Sequence, residues 1–354
     1  MKILGLMSGT SLDGVDLALC DITADGYSVV AAETIPYPAT WHERLATLEQ
    51  STAFEYALAD VELGHYLGHL VHDFLAARGL TAEAVASHGH TIFHRPELKL
   101  TTQIGDGDAI AAECKLPVVS NFRNLDVALG GTGAPLVPIG DALLFPQYDA
   151  CLNLGGFANI SYTSHDTQQR VAFDISPCNM ALNRLAARLG LEYDPQGSNA
   201  AQGYVHTCLK MRLDGLDYYS TTGPKSLGKE WFVEQFWPLV EATDADTADL
   251  LATVSAHIAW QTARVLSREK ITSLLVTGGG AFNNDLLHRM EQYAPDTQIT
   301  VPDPLTVNYK EAIIFALLAY LRLEGRTNVL SSVTGASCDN CGGNISGLLI
   351  NKNS

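Results

Sequence analysis

The feature that most constrains the fold is a glycine-broken turn between two apolar runs, which recurs in the second half of the chain. The first copy joins an expected strand over residues 3–6 to another over residues 15–21, and a third strand-like run follows. The second copy repeats this order around the turn Gly155-Gly156. A strand-turn-strand-strand opening that occurs twice, each time before helices, predicts an α/β protein with two lobes of related topology.

Length and charge narrow the class of protein. The chain has 354 residues, of which 47% are hydrophobic, and this fits two domains of ordinary size with a substantial core. The formal net charge is −17, so we expect neither nucleic acid nor a membrane as a partner, because both need a basic surface. No run reaches the roughly 18 apolar residues of a membrane span, and the first residues are typical of a strand rather than a leader. We therefore expect a cytoplasmic protein.

The first turn, over residues 8–14, has the composition of a phosphate-binding loop. Its two glycines and three hydroxyl residues expose backbone N–H groups and short donors. Asp13 lies where a carboxylate can hold a magnesium ion beside a polyphosphate. On this loop alone, an ordinary polar hairpin stays an alternative.

Three histidines, His88, His90 and His94, follow a short strand expected over residues 84–86. Two histidines separated by one residue at a strand end can bind a metal, which leaves a zinc site open. No carboxylate at an obvious ligand spacing accompanies them, and loop histidines also bind substrates or pack. Arg123, which follows another expected strand, is a candidate for carboxylate recognition, because a guanidinium group can bind a carboxylate through two hydrogen bonds.

Two positions in the second half have the character of a catalytic or ligand site. Asp174 follows the third strand of the repeated opening, where a carboxylate can do acid–base chemistry, although a helix cap would look the same. Later, Gly278, Gly279 and Gly280 separate a buried strand from a helix expected from Asp285. Three glycines there let a flat or anionic ligand approach the backbone closely.

These patterns together resemble the sugar kinase, actin and heat-shock ATPase superfamily, and within it the anhydro-N-acetylmuramic acid kinase family. The resemblance covers nearly the whole chain, with motifs in order: MSGTSLDGVD from Met7, HGHT from His88, QIGDG from Gln103, NFR from Asn121, GGTGAPLVP from Gly130, NLGGFANIS from Asn153, PKSLG from Pro224, TGGGAFN from Thr277, KEA from Lys310 and SVTGA from Ser332. It implies two ribonuclease-H-like lobes, over residues 1–140 and 141–354, with a nucleotide and sugar cleft between them.

The resemblance also implies a reaction. The family opens 1,6-anhydro-N-acetylmuramic acid by hydrolysis and phosphorylates O6 with ATP, which gives N-acetylmuramic acid 6-phosphate in cell-wall recycling. ATP and Mg²⁺ are the implied cofactors. The anhydro amino sugar and ATP are the implied small-molecule partners, and a homodimer is left open. Asp174 is the implied catalytic base, with Glu311 expected to assist from the start of a helix.

The implied binding residues form two groups. The ATP group comprises Gly9, Thr10, Ser11, Leu12, Asp13, Gly14, Val15, Asp16, Gly155, Gly156, Gly278, Gly279, Gly280 and Asn283, with Asp13 also the metal ligand. The sugar group comprises His88, His90, Thr91, Arg123, Gly131 and Asn179.

The chain departs from the family pattern at three places that concern the sugar site more than the nucleotide site. Asp174-Ile-Ser-Pro-Cys-Asn179 replaces the usual Asp-Thr-Gly-Pro-Gly-Asn, His90 replaces a common glutamine, and Tyr309 replaces a common aspartate. Two other functions stay open. One is a metal-dependent sugar or amide hydrolase that uses His88, His90 and His94, and the other is a non-catalytic nucleotide-binding regulator.

Overall fold

The computed structural model describes residues 1–9, 12–23, 26–223 and 225–347, so Thr10 and Ser11 of the predicted ATP group lie outside the described residues. The strands, in chain order, are β1 Lys2–Ser8, β2 Gly14–Thr23, β3 Gly26–Pro36, β4 Ala84–Ser87, β5 His90–Arg95, β6 Leu100–Ile104, β7 Val118–Ser120, β8 Ala150–Leu154, β9 Phe157–Thr163, β10 Arg170–Pro177, β11 Ser273–Thr277, β12 Gln298–Thr300 and β13 Asn344–Ser346.

The helices alternate with these strands. They are α1 Ala39–Thr47, α2 Ala53–Arg78, α3 Gly107–Cys114, α4 Asn124–Ala128, α5 Val137–Leu144, α6 Asn179–Ala186, α7 Thr207–Asp214, α8 Lys229–Trp231, α9 Trp237–Glu241, α10 Thr247–Arg268, α11 Asn284–Tyr293, α12 Pro304–Leu323 and α13 Ser331–Thr334. No helix in the described part of the chain is long and apolar enough to cross a membrane.

The chain divides into two compact units. The first comprises Met1–Leu144 together with the later segment that begins at Tyr309, and the second is Phe145–Asn308. This differs from the expected lobe over residues 141–354, because the last part of the chain packs on the first sheet. In the first unit β13 pairs with β7, and α12 lies so close to β1 that a Cβ at Gly5 would be 1.9 Å from the Ala312 carbonyl oxygen. Only glycine fits at that contact.

The first unit is built on a sheet in the order β13-β7-β4-β1-β2-β3. β1, β2 and β3 are antiparallel neighbours, with Ser8 opposite Val15, which confirms the first predicted hairpin. Apolar residues at helical spacing over residues 54–78, followed by Gly79, predict a long helix. It is confirmed as α2, which begins at a capping box of Thr52 and Glu55 and ends at Gly79 in the left-handed conformation. Its apolar face packs on the sheet and forms the core of this unit.

The second unit repeats that opening. Its sheet has the order β10-β9-β8-β11-β12, in which β8, β9 and β10 are antiparallel and β11 lies parallel to β8 and β12. Helices α6 and α10 supply much of the core against this sheet. The repeated strand-turn-strand-strand pattern and the α/β class are therefore confirmed.

Helix α12 begins earlier than its sequence pattern predicted. We expected a helix over residues 311–323, whereas α12 begins at Pro304. Asp303 caps its first turn, since its Oδ1 accepts hydrogen bonds from the N–H groups of Leu305 and Thr306. Aspartate before proline is a favourable helix start. Glu311 consequently lies in the interior of the helix and not at its beginning, which corrects the expected position.

Candidate active site

The first turn joins β1 to β2 on the sheet of the first unit. Among its described residues, the Leu12 N–H donates to the Gly9 carbonyl at 3.3 Å, and Leu12 has a φ of 63°. Gly14 must be glycine, because a Cβ there would be 2.4 Å from the Ile35 carbonyl oxygen. The Val15 side chain is buried in the core, so only its backbone can face a ligand. Asp13 is exposed beside these residues.

Carboxylates of the first unit interact electrostatically near this turn. Asp16 on β2 accepts a hydrogen bond from the Thr34 hydroxyl at 2.6 Å. Burial raises the pKa of Asp16, the Thr34 bond opposes the rise, and Asp13 adds to it. The pKa of Glu311 is also raised by loss of hydration, with Arg123 and Lys310 opposing the rise and Asp16 adding to it. The Glu311 side chain is nevertheless open to solvent, so it can meet a ligand.

Arg123 is held in place by His88 and a loop carbonyl. Its Nε and Nη2 lie 3.2 and 2.9 Å from His88 Nε2, and its Nη1 donates to the Gly133 carbonyl at 2.7 Å. His88 Nδ1 lies 2.8 Å from the Gly89 carbonyl, so the imidazole is neutral, with Nδ1 donating and Nε2 accepting. Burial and Arg123 lower the pKa of His88 well below its usual range.

The guanidinium group keeps donors for a ligand after these bonds are made. Burial lowers the pKa of Arg123 to about 10, and Glu311 opposes that change, so Arg123 stays charged at neutral pH. A guanidinium group has five N–H donors. Three of them are taken by His88 and Gly133, which leaves two for a carboxylate or a phosphate. The sequence pattern predicted His88 as a sugar ligand, and the structure shows it bonded to Arg123.

The other two histidines are bonded separately. His90 Nδ1 lies 2.9 Å from Ser8 Oγ, which accepts a bond from the Tyr37 hydroxyl at 2.8 Å. His94 Nδ1 lies 3.1 Å from Thr101 Oγ1. In the described ranges, no group of three or more His, Cys, Asp or Glu side chains could hold a metal ion. Each of the three histidines is thus bonded to a different partner.

The remaining sugar candidates of the first unit are a β5 residue and a loop glycine. Thr91 accepts a hydrogen bond from Gln103 Nε2 at 3.3 Å across the β5–β6 pair. Gly131 is buried, and a Cβ there would be 2.2 Å from Asp126 Oδ2. Asp126 also accepts from the Gly133 N–H at 2.8 Å, so it fixes the loop whose carbonyl holds Arg123. The sequence pattern gave no sign of this role.

A buried ion pair positions helix α12 beside the site. Lys310 Nζ lies 2.7 Å from Asp141 Oδ1, and the two side chains are 6% and 4% exposed. The pair connects α12 to α5, next to Glu311. The sequence shows Lys310 and Asp141 each within a mostly apolar helix, which indicates that each charge needs a partner. It does not show that the two residues pair with each other.

In the second unit, the turn Gly155-Gly156 packs against the beginning of α6. The Gly155 carbonyl accepts from the Asn179 N–H at 3.0 Å, and the Gly156 carbonyl accepts from the Cys178 and Met180 N–H groups at 2.9 and 3.2 Å. Gly156 is exposed, and the nearest atom to a Cβ there would be Met180 Cε at 4.0 Å. These three hydrogen bonds hold the carbonyl side of the turn in place. The opposite side of the turn, at Gly156, is exposed.

The late glycine turn lines a cavity of about 450 Å³. Gly278 has a φ of 80°, and a Cβ at Gly280 would be 2.6 Å from Leu154 Cβ, whereas Gly279 is exposed and has room for one. Asn179, predicted for the sugar, lines this same cavity beside Gly279 and Gly280. Asn283 also lines it and caps α11 by accepting from the Leu286 N–H at 3.0 Å.

Asp174 is held by Tyr218, Lys225 and Leu227. Its Oδ2 accepts from the Leu227 N–H at 2.8 Å, and its backbone carbonyl accepts from the Tyr218 hydroxyl at 2.5 Å. Its own N–H donates to the Lys225 carbonyl at 3.1 Å. Burial raises the pKa of Asp174, and the Leu227 bond opposes the rise. The pairing of β10 with β9 is irregular between Asp174 and Ser176, so the altered residues follow a local bulge.

Comparisons with known proteins agree on one family. The model of the anhydro-N-acetylmuramic acid kinase family matches residues 1–346. A protein of that name from Picosynechococcus is 36% identical, with 96% of this chain and 97% of that protein covered. One from Vibrio vulnificus is 35% identical, with 94% and 95% covered.

A solved structure of a (R)-2-hydroxyglutaryl-CoA dehydratase component from Acidaminococcus fermentans aligns with a TM-score of 0.48 and 14% identity, over 92% of this chain and 99% of that one. That likeness is too low to support an argument. The family match and the identity to the two kinases, both over nearly the full length, are decisive. The chain belongs to the anhydro-N-acetylmuramic acid kinase family.

Proposed function

We propose that this chain opens 1,6-anhydro-N-acetylmuramic acid with water and transfers the γ-phosphoryl group of ATP to O6, which gives N-acetylmuramic acid 6-phosphate for cell-wall recycling. The observation that carries the proposal is the family match over residues 1–346, which includes every predicted site residue. The proposal places the reaction in the cytoplasm, where ATP is available.

Asp174 is the proposed base for the water. Its Oδ2 is held by the Leu227 N–H, which fixes the carboxylate orientation. In the reaction a water oxygen bonds to C1, its proton passes to Asp174, and the C1–O6 bond breaks. O6 leaves with the electron pair of that bond and attacks the γ-phosphorus, so ADP is released. A positioned base typically contributes about 10²–10⁴-fold to the rate.

Arg123 is the proposed partner of the sugar's carboxylate. Two of its N–H donors are not used by His88 or Gly133, and the neutral His88 fixes the guanidinium plane. A charge-assisted bidentate bond needs this fixed fork. Glu311 is proposed to assist Asp174, since its raised pKa eases proton exchange and its side chain is open to solvent.

Asp13 is the proposed magnesium ligand. It is exposed, and its charge raises the pKa of Asp16, so a cation there would relieve the repulsion between the two carboxylates. Mg²⁺ usually binds one or two carboxylates together with phosphates and water. When bound, the ion would neutralise charge on the transferring phosphoryl group. The glycine turn with Gly279 is proposed to receive the adenosine of ATP.

The proposal is tested by identifying the product. The purified protein is incubated with ATP, Mg²⁺ and 1,6-anhydro-N-acetylmuramic acid, and the sugar is analysed by mass spectrometry. We expect one molecule of sugar to gain one water and one phosphoryl group. A sugar that gains water alone would support the hydrolase, and an unchanged sugar with nucleotide still bound would support the regulator.

A further inference from the structure

A second cavity in the second unit borders the residues that hold Asp174, since Lys225 and Ile175 line it. It has a volume of about 430 Å³ and is formed between the edge strand β10, the residues Thr221 and Lys225, and one side of α10. This volume lies within the range of small-molecule sites, near its lower end.

The charge of this cavity is opposite to that of the protein. Three of its lining residues, Lys225, Arg264 and Arg268, are basic and none is acidic. The chain as a whole has 39 acidic and 22 basic residues. A cavity whose charged lining residues are all basic is therefore not expected from the composition of the chain. Arg264 and Arg268 are four residues apart on α10 and therefore project from the same side of that helix.

Two of the three cations have only neutral partners among the residues that the structure describes. Lys225 Nζ donates to the Tyr218 and Thr221 carbonyls at 2.7 and 2.8 Å. Arg264 Nη1 donates to Gln261 Oε1 at 3.1 Å. Arg268 differs, because its Nε donates to Glu269 Oε1 at 2.7 Å. Burial, together with Arg268 and Arg264, lowers the pKa of Lys225 to about 8, so the cations repel one another and an anion would relieve this.

Aromatic rings form another part of the cavity wall. Trp260 and Tyr293 pack edge to face, with ring centroids 5.5 Å apart, and each is 38% exposed. Tyr219 is fixed from behind, because its hydroxyl lies 2.9 Å from His257 Nε2 and His257 Nδ1 lies 2.7 Å from Asp214. Lys210 Nζ lies over Trp260, 5.1 Å from the ring centroid, and the aromatic surface that stays exposed beside it can pack against the C–H face of a sugar ring.

We propose that this cavity binds a small phosphorylated sugar. The phosphate would lie against Lys225, Arg264 and Arg268, and the ring would lie against Trp260 and Tyr293. Arginine forks match the three oxygens of a phosphomonoester in both charge and geometry. The proposal is separate from the kinase reaction, because Lys225 holds Asp174 through its backbone carbonyl and the other four residues have no role in that reaction.

Calorimetric titration of the full chain with glucose 6-phosphate, in the absence of ATP, tests the proposal. We expect a Kd below about 1 mM, and no binding of glucose over the same range. Arg264→Gln should raise that Kd about tenfold or more, because it removes a charge-assisted bond. Arg212→Gln is the matched control, since Arg212 is an exposed arginine of α7 in the same unit that does not line the cavity.

Three results would overturn the proposal. These are absence of binding, equal weakening by Arg264→Gln and Arg212→Gln, and binding of inorganic phosphate as tight as that of glucose 6-phosphate. Arg268→Gln is the second variant if thermal unfolding shows that Arg264→Gln does not fold, and it should weaken binding in the same direction.

Discussion

The two units hold their candidate site residues by different means. In the first, side chains bind one another, as Arg123 binds the neutral His88 and Lys310 binds Asp141. In the second, backbone groups dominate: Gly155 and Gly156 accept bonds from α6, and Asp174 is held by the Leu227 N–H. The difference indicates that substitutions in the first unit act through the loss of bonds between side chains. In the second unit they act through shape, with Asp174 as the exception.

Asp174→Asn tests that exception and has the largest expected effect. Asparagine can keep the bond from the Leu227 N–H, but it cannot take a proton from water. We expect kcat to fall by about 10²–10⁴-fold, with ATP affinity nearly unchanged. Asp166→Asn, at an exposed position between β9 and β10, is the control and should keep full activity. Turnover near that of the unaltered chain in Asp174→Asn would remove the base assignment.

Gly279→Val sharpens the comparison, because it changes shape without charge. Gly279 is exposed, and the nearest atom to a Cβ there would be Asn179 Nδ2 at 3.6 Å, so the fold should tolerate valine. The added methyl groups would fill the cavity, and overpacking costs about 1–3 kcal/mol. We expect the KM for ATP to rise about 10- to 100-fold, with a smaller change for the sugar. An unchanged KM for ATP would show that adenosine does not bind at this turn.

Arg123→Lys tests charge against geometry in the first unit. Lysine keeps the positive charge but loses the planar fork that binds His88 and the Gly133 carbonyl. We expect the KM for the sugar to rise about tenfold, which corresponds to about 1.4 kcal/mol, and the KM for ATP to change less. Arg95→Lys, at an exposed position on β5, is the control. A larger rise in the KM for ATP than in that for the sugar would show that Arg123 binds the phosphate groups and not the sugar.

His90→Gln has the smallest expected effect on activity and is measured through stability. Burial lowers the pKa of His90 to about 4, from 6.5. The folded state therefore favours the neutral imidazole. This contribution to stability is fully present above pH 6.5 and is lost as pH falls through about 4. Denaturant unfolding between these pH values should show a smaller loss of stability in His90→Gln. Identical pH profiles for the two proteins would mean that His90 is not buried as described.

The elements that the sequence predicted correctly are those set by local patterns of residues. Turn glycines between apolar runs predicted both hairpins, and helical spacing with Gly79 predicted the end of α2 correctly. Asp106 or Asp108 was predicted as the cap of α3, and the Asp106 side chain accepts from the Ala109 N–H at 2.7 Å. Each of these features depends on residues close together in the chain.

The features that the sequence did not predict depend on residues far apart in the chain. Asp174 is held by Tyr218, Lys225 and Leu227, and the partner of Lys310 is Asp141. Strand β5 was expected to be a loop, because its polar histidines hid the pairing with β6. The start of α12 was missed because polar residues in its first turns interrupt the apolar spacing. That the ligands bind in a cleft between the lobes stays a prediction.

The proposed reaction uses ATP only when the anhydro sugar is present. A coupled assay of ADP release measures this directly, with and without 1,6-anhydro-N-acetylmuramic acid and with Asp174→Asn in parallel. We expect one ADP for each sugar converted, almost no ADP release without the sugar, and a large loss of ADP release in Asp174→Asn. ADP release that is independent of the sugar, or that is unaffected by Asp174→Asn, would contradict the proposed reaction.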